Sequence, residues 1–149
     1  MRRVLVWRGL DAPRMEIARA DVADGELRAE GTQIGVSYEL RYRLEPARLR
    51  VEVAGGPSLD VGLGGADCFD LGFSPLFNSL PVLTGLEQPT DFVMSFVDVP
   101  SLGVSRSEQR YEPLGDGRVR FTSGSLVAEL AFDDDGFVVH YEGLAERVG

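Results

Sequence analysis

His140 is the one histidine of the 149-residue chain, and its ordinary pKa lies nearest neutrality, as a general base requires. It falls in the alternating run Phe137-Val138-Val139-His140-Tyr141, and no serine in a Gly-x-Ser-x-Gly setting accompanies it. Asp133-Asp134-Asp135-Gly136 with Glu142 brings calcium-type oxygens together. In an EF-hand frame the first ligand position would be Ala131, which has no ligand oxygen, and the flanks are strand-like. An Asp-Gly hairpin turn accounts for the same residues. Cys68 is the single cysteine, so no intramolecular disulfide is expected, and no Cys/His cluster has zinc spacing. Neither a metal nor a cofactor is expected.

Two segments suit recognition better than catalysis. In Asp70-Leu71-Gly72-Phe73-Ser74-Pro75-Leu76-Phe77-Asn78-Ser79-Leu80-Pro81, two prolines bracket Asn78 and an aromatic residue. Prolines argue against a central strand or a helix interior, which predicts an ordered, bulged crossover loop. Read functionally, it is a rim, with Asp70 and Asn78 as polar contacts beside Phe73 and Phe77. Gln109-Arg110-Tyr111 offers donors for a polyol or phosphate headgroup and a ring to stack on a sugar. On the residues alone, the simpler reading is the start of a strand with Arg110 paired to a carboxylate.

The elements that must position these groups are strands. Glu39-Leu40-Arg41-Tyr42-Arg43-Leu44 and Leu49-Arg50-Val51-Glu52-Val53 alternate polar and apolar around Glu45-Pro46-Ala47-Arg48, which predicts a hairpin. Leu59–Leu63, Arg118–Thr122, Leu126–Phe132 and Phe137–Tyr141 repeat the pattern between Gly- and Asp-rich turns. Phe92–Val99 is apolar on both faces, as a doubly covered central strand would be. Arg14–Asp24 leans weakly toward helix, and its spacing equally fits a strand. Gly35-Val36-Ser37, Arg41-Tyr42 and Arg48–Val51 echo in Gly103-Val104-Ser105, Arg110-Tyr111 and Arg118–Phe121. The echo, over about 35–63 and 103–132, suggests two similar meander halves sharing one core within a single domain, residues 1–149.

Composition excludes several partners. A formal charge of −9 disfavours nucleic acid and an anionic leaflet. No apolar run is long enough to span a membrane. Met1-Arg2-Arg3 precedes only Val4-Leu5-Val6-Trp7 before Arg8, shorter than a secretory signal core. A cytoplasmic location is therefore expected.

The chain resembles a family of small bacterial proteins, formerly a domain of unknown function, named for glycolipid binding. The resemblance is carried by Val6-Trp7-Arg8 followed by Glu16, by Tyr42-Arg43-Leu44, and by Cys68-Phe69-Asp70-Leu71 leading into Ser74–Pro81. It continues through Val99-Pro100-Ser101-Leu102, Gln109-Arg110-Tyr111 and Asp135–Tyr141. It implies an all-β spiral β-roll: curved antiparallel meanders around an apolar interior. The chain departs from the family where Val82-Leu83-Thr84-Gly85 replaces a pair of arginines after Pro81. It also lacks the Gly-x-Trp that precedes the Cys68 region in the family.

The leading expectation is a non-catalytic protein that binds a glycolipid or similar amphiphile. Phe73, Phe77, Phe92, Met94 and Phe96 would line an apolar groove, with Asp70, Asn78, Gln109, Arg110 and Tyr111 at its polar mouth. One alternative is an enzyme using Asp70 or His140 as acid/base, with Arg110 steadying an anion. Another is a purely structural β-protein whose edge strands pair into a homodimer.

Overall fold

Alternation becomes pairing throughout the computed structural model, which describes residues 2–149. The first wing is a meander of β1 (Arg2–Gly9), β2 (Arg14–Asp21), β3 (Glu26–Gln33), β4 (Val36–Arg43), β5 (Arg48–Val53) and β6 (Ser58–Gly62). After β7 (Cys68–Leu71) comes the helix α1 (Pro75–Leu83). A second meander follows: β8 (Thr90–Val97), β9 (Val104–Gly115), β10 (Arg118–Ser123), β11 (Leu126–Phe132), β12 (Val138–Tyr141) and β13 (Ala145–Arg147). The segment that leaned toward helix is strand β2, with Ala18 and Ala20 facing inward. The two echoing stretches fall on β4–β6 and β9–β11, each a three-stranded antiparallel meander.

All thirteen strands form one sheet, in the order β6-β5-β4-β3-β2-β1-β13-β12-β11-β10-β9-β8-β7. The two wings join where β1 pairs with β13, and every neighbouring pair is antiparallel except β7 with β8. This order forces curvature. Laid flat at ~4.8 Å per strand spacing, thirteen strands would be about 58 Å wide. Yet β6 and β7, the two edges, are consecutive in the chain and linked only by residues 63–67. Such a link reaches roughly 20 Å, so the sheet must roll until its edges approach. Two contacts mark the approach. Tyr42 of β4 packs edge-on against Phe69 of β7, ring centroids 5.8 Å apart. Arg106 of β9 donates to the carbonyl oxygen of Leu63 in the link, at 3.1 Å.

The inward positions fill the roll. Leu5, Trp7, Leu27, Leu49, Val51, Phe69, Leu71, Phe77, Met94, Tyr111 and Leu130 are all at most 1% exposed. The indole of Trp7 donates to Val138 O at 2.7 Å and ties the wings together at their seam. The accessible surface, 7633 Å², matches the roughly 7,500 Å² expected of a compact chain of this mass. β8 lies one strand from the edge. Met94, Ser95 and Val97 are buried, so its second half is covered on both faces, whereas Asp91 and Val93 are exposed.

Residues 75–83 correct the sequence reading: they form a helix, not a crossover loop. Pro75 stands at the first helical position, where a missing N–H costs nothing. Ser74 is the N-cap, its Oγ accepting from Phe77 N at 3.4 Å. Pro81 does lie inside the helix, a placement worth about 3 kcal/mol of destabilisation in an ordinary helix. Burial decides the outcome. Leu76, Phe77 and Leu80 are each at most 1% exposed, and fully burying side chains of this kind contributes about 1.5–3 kcal/mol apiece. α1 packs on β7 and β12 as the plug of the roll. Among the described residues, no helix is long and apolar enough to cross a membrane.

Candidate functional site

Four of the ten residues singled out from the sequence meet in one hydrogen-bonded network beneath α1. Gln109 Nε2 donates to Asp70 Oδ2 at 2.7 Å. Asn78 Nδ2 on the helix donates to the Tyr111 hydroxyl at 3.2 Å, and that hydroxyl faces Gln109 Oε1 at 3.5 Å. All four side chains are buried, so this network holds the helix to β7 and β9 rather than opening a polar mouth. Among the described residues Asp70 has no cationic partner. Burial pushes its carboxyl up to about 6, and the bonds from Gln109 and the Leu71 amide only partly oppose this. Burial also raises the Tyr111 hydroxyl, with help from the charge of Asp70, and lifts the Cys68 thiol to about 12.

The remaining six lie elsewhere. Phe77 and Met94 are sealed in the core, and Phe92 and Phe96 are half-buried, Phe92 standing edge-on to Tyr111 at 5.6 Å. Phe73 points outward at a left-handed φ of 61° and lies over the Arg14 guanidinium, 4.0 Å from ring centroid to Cζ. Arg110 is on the outer face, ion-paired with Asp91 at 3.0 Å. The five apolar residues thus do not line an open groove. His140 is exposed on its strand while Asp70 is interior, so the acid/base pair of the enzymatic alternative does not converge. Asp133 accepts from the amides of Asp135 and Phe137 and pairs with Arg3 and Arg147, which is turn chemistry.

Sequence reasoning missed a second buried carboxylate as a site residue. Glu16 of β2 is 3% exposed. It accepts from the Tyr38 hydroxyl at 2.5 Å, from Ser74 Oγ at 2.8 Å and from Leu76 N at 3.1 Å. The last two belong to the start of α1, so Glu16 caps the helix from across the roll, where the helix dipole favours a negative group. Burial nevertheless raises its pKa, and the three hydrogen bonds oppose that rise. The signal was available: Glu16 shares the inward period of Ala18 and Ala20. A flanking glycine makes room for the arrangement. A Cβ on Gly31 would stand 2.6 Å from both Met15 O and the Tyr38 hydroxyl oxygen. Gly31→Ala should therefore displace Tyr38 from Glu16 and destabilise the fold by roughly 1–3 kcal/mol, read as a lower urea midpoint.

The open concavity is on the outside. Across the outer face of β2–β5 runs a trough with two overlapping parts, of about 580 Å³ and about 740 Å³. The first is bordered by Met15, Ile17, Thr32 and Ser37, the second by Arg19, Arg28, Arg41 and Arg50. Glu30, Glu39 and Glu52 border both. By contrast, the slot between Trp7, Phe73 and the start of α1 holds only about 10 Å³.

A single curved sheet of thirteen strands, antiparallel except for β7 with β8, plugged by one short helix, is a fold with a solved counterpart. The crystal structure of a DUF1089 family protein from Pseudomonas aeruginosa, at 1.80 Å resolution, superposes with a TM-score of 0.75. It covers 95% of each chain at 22% identity, a likeness of fold. The chain belongs to the family described as "Putative glycolipid-binding", whose model matches residues 52–147. No curated protein matches the chain.

Proposed function

We propose that this protein binds an amphiphile with a sugar-type headgroup, without catalysis, and holds it in the outer trough of β2–β5 rather than inside the roll. The observation that carries this reading is the contrast between interior polar groups that are buried and bonded to one another and an open trough that is apolar at one end and polar at the other. Ile17 and Met15 border the apolar end, and Val6 on β1 is the cross-strand partner of Ile17 just beyond it. There a tail would gain up to ~0.8 kcal/mol for each methylene it buries. The family description supports an amphiphilic ligand. In this reading Asp70, Asn78, Gln109 and Tyr111 are the frame that keeps α1 seated and the sheet rolled, and the curvature of the sheet shapes the trough.

Titration with dodecyl maltoside below its micellar concentration tests this. Wild-type protein should bind. Ile17→Lys, which places a charge among the tail contacts on an outward position, should weaken binding at least roughly tenfold, or ~1.4 kcal/mol, with the fold intact by circular dichroism. Absence of binding, or binding indifferent to Ile17→Lys, would overturn the proposal.

A further inference from the structure

The pairing register places like charges in rows. Arg19, Arg28, Arg41 and Arg50 are directly opposite one another on β2, β3, β4 and β5. Two residues along, Glu30, Glu39 and Glu52 are likewise in line on β3, β4 and β5. Like charges directly opposite are unfavourable in a sheet, and alternating the same residues would have paired every arginine with a glutamate. Instead each row presents one kind of hydrogen-bonding group along its length, donors in one and acceptors in the other, with the rows ~7 Å apart.

The ion pairs of these rows are exposed to solvent. Arg19 meets Glu30 at 3.1 Å, Arg50 meets Glu52 at 2.7 Å, and Arg28 and Arg41 share Glu26. These side chains are about one-third to three-fifths exposed, a setting in which such pairs contribute about 0–1 kcal/mol. They are readily exchanged for a ligand. Glu39, central to the trough, has no side-chain partner among the described residues. Charge is close to balanced: four arginines and Glu30, Glu39 and Glu52 border the trough, and Glu26 and Asp60 meet the arginines at its rim. This patch therefore favours neither an anion nor a cation, although the whole chain carries −9.

From these rows, and resting on the trough reading above, we infer that the headgroup is a neutral, linear oligosaccharide lying across β3–β5, not a phosphorylated or sulfated one. Vicinal hydroxyls both donate and accept, so one ring can take an acceptor from the glutamate row and a donor from the arginine row together. A charged headgroup would satisfy one row and be repelled by the other. The two rows run side by side over β3–β5, two strand spacings or ~10 Å, and the arginine row reaches one strand further to Arg19, enough for about two to three linked hexose rings. The tail then leaves over β2 and β1, where the glutamate row continues as Ile17 and Val6.

A headgroup series on one tail tests this: dodecyl glucoside, dodecyl maltoside, dodecyl maltotrioside and dodecyl phosphate, each below its micellar concentration. Affinity should rise severalfold with each added ring and change little between 50 and 500 mM salt, and dodecyl phosphate should bind no better than the glucoside. Glu39→Gln and Arg41→Ala, both on exposed positions, should abolish the gain from maltotrioside over glucoside, with the fold intact by circular dichroism. Equal affinity across the glycosides, a preference for the phosphate, or steep salt dependence would overturn the inference and leave amphiphile binding standing. If none of the four binds, the trough reading itself fails.

Discussion

Glu16→Ala is expected to lower stability by about 3 kcal/mol or more, which for a chain of this size corresponds to a fall in Tm of roughly 6–12 °C. The substitution leaves the Tyr38 hydroxyl, Ser74 Oγ and Leu76 N without the acceptor they share. Each buried donor stranded in this way costs about 1–3 kcal/mol. Hydroxyls can turn toward new partners, but the Leu76 amide is fixed by the helix and cannot. Glu16→Gln should fall between, since its carboxamide keeps one acceptor oxygen, while its N–H₂ finds a partner only if the Tyr38 or Ser74 hydroxyl turns to accept. Because the same carboxylate seats the first turn of α1, hydrogen exchange should accelerate first at residues 75–83 in both variants. Two variants within ~0.5 kcal/mol of wild type would show that the cluster does not hold the plug.

Stability should fall as pH rises from about 4 to about 6. Asp70 titrates near 3.9 in an unfolded chain and at about 6 in the fold. Across that interval the native state holds a proton that the unfolded state has released, so the slope is negative, about −1.4 kcal/mol per pH unit. The full effect, two units, is roughly 3 kcal/mol: absent below pH 4 and complete above pH 6. Glu16, also raised by burial, acts in the same direction. Asp133 opposes it only at lower pH. Its partial burial is outweighed by bonds from the Phe137 amide and Arg147, which lower its pKa, and its contribution is lost as pH falls through that depressed value. Denaturant titrations at pH 4.5 and 7 should find the protein more stable at the lower pH. Asp70→Asn should flatten the difference by about one proton. A wild-type profile rising through this interval would contradict the burial of an unpaired carboxyl here.

Much of the roll was legible because alternation in strands such as Leu40/Tyr42 and Leu49/Val51 records which face is buried. α1 was not, because Pro81 argues locally against a helix and only the long-range burial of Leu76, Phe77 and Leu80 overrides it. The network of Asp70, Asn78, Gln109 and Tyr111 was half legible. The fold brings these four together and leaves Arg110, grouped with them in the sequence, on the outer face; sequence gives no way to tell a mouth from a buried clamp, since both use the same polar side chains. The arginine row was hidden for another reason. Each arginine reads alone as an outward strand residue, and only the register, set by the turns between β2 and β5, aligns the four.

The central claim is that the ligand surface is the outer trough and not the interior. Amide chemical-shift mapping with dodecyl maltoside tests it in one spectrum series. Saturable shifts should concentrate at Ile17, Glu30, Glu39 and Glu52 and leave Phe77, Met94 and Tyr111 unmoved. Shifts centred on α1 and the core of the roll, with β2–β5 silent, would contradict it.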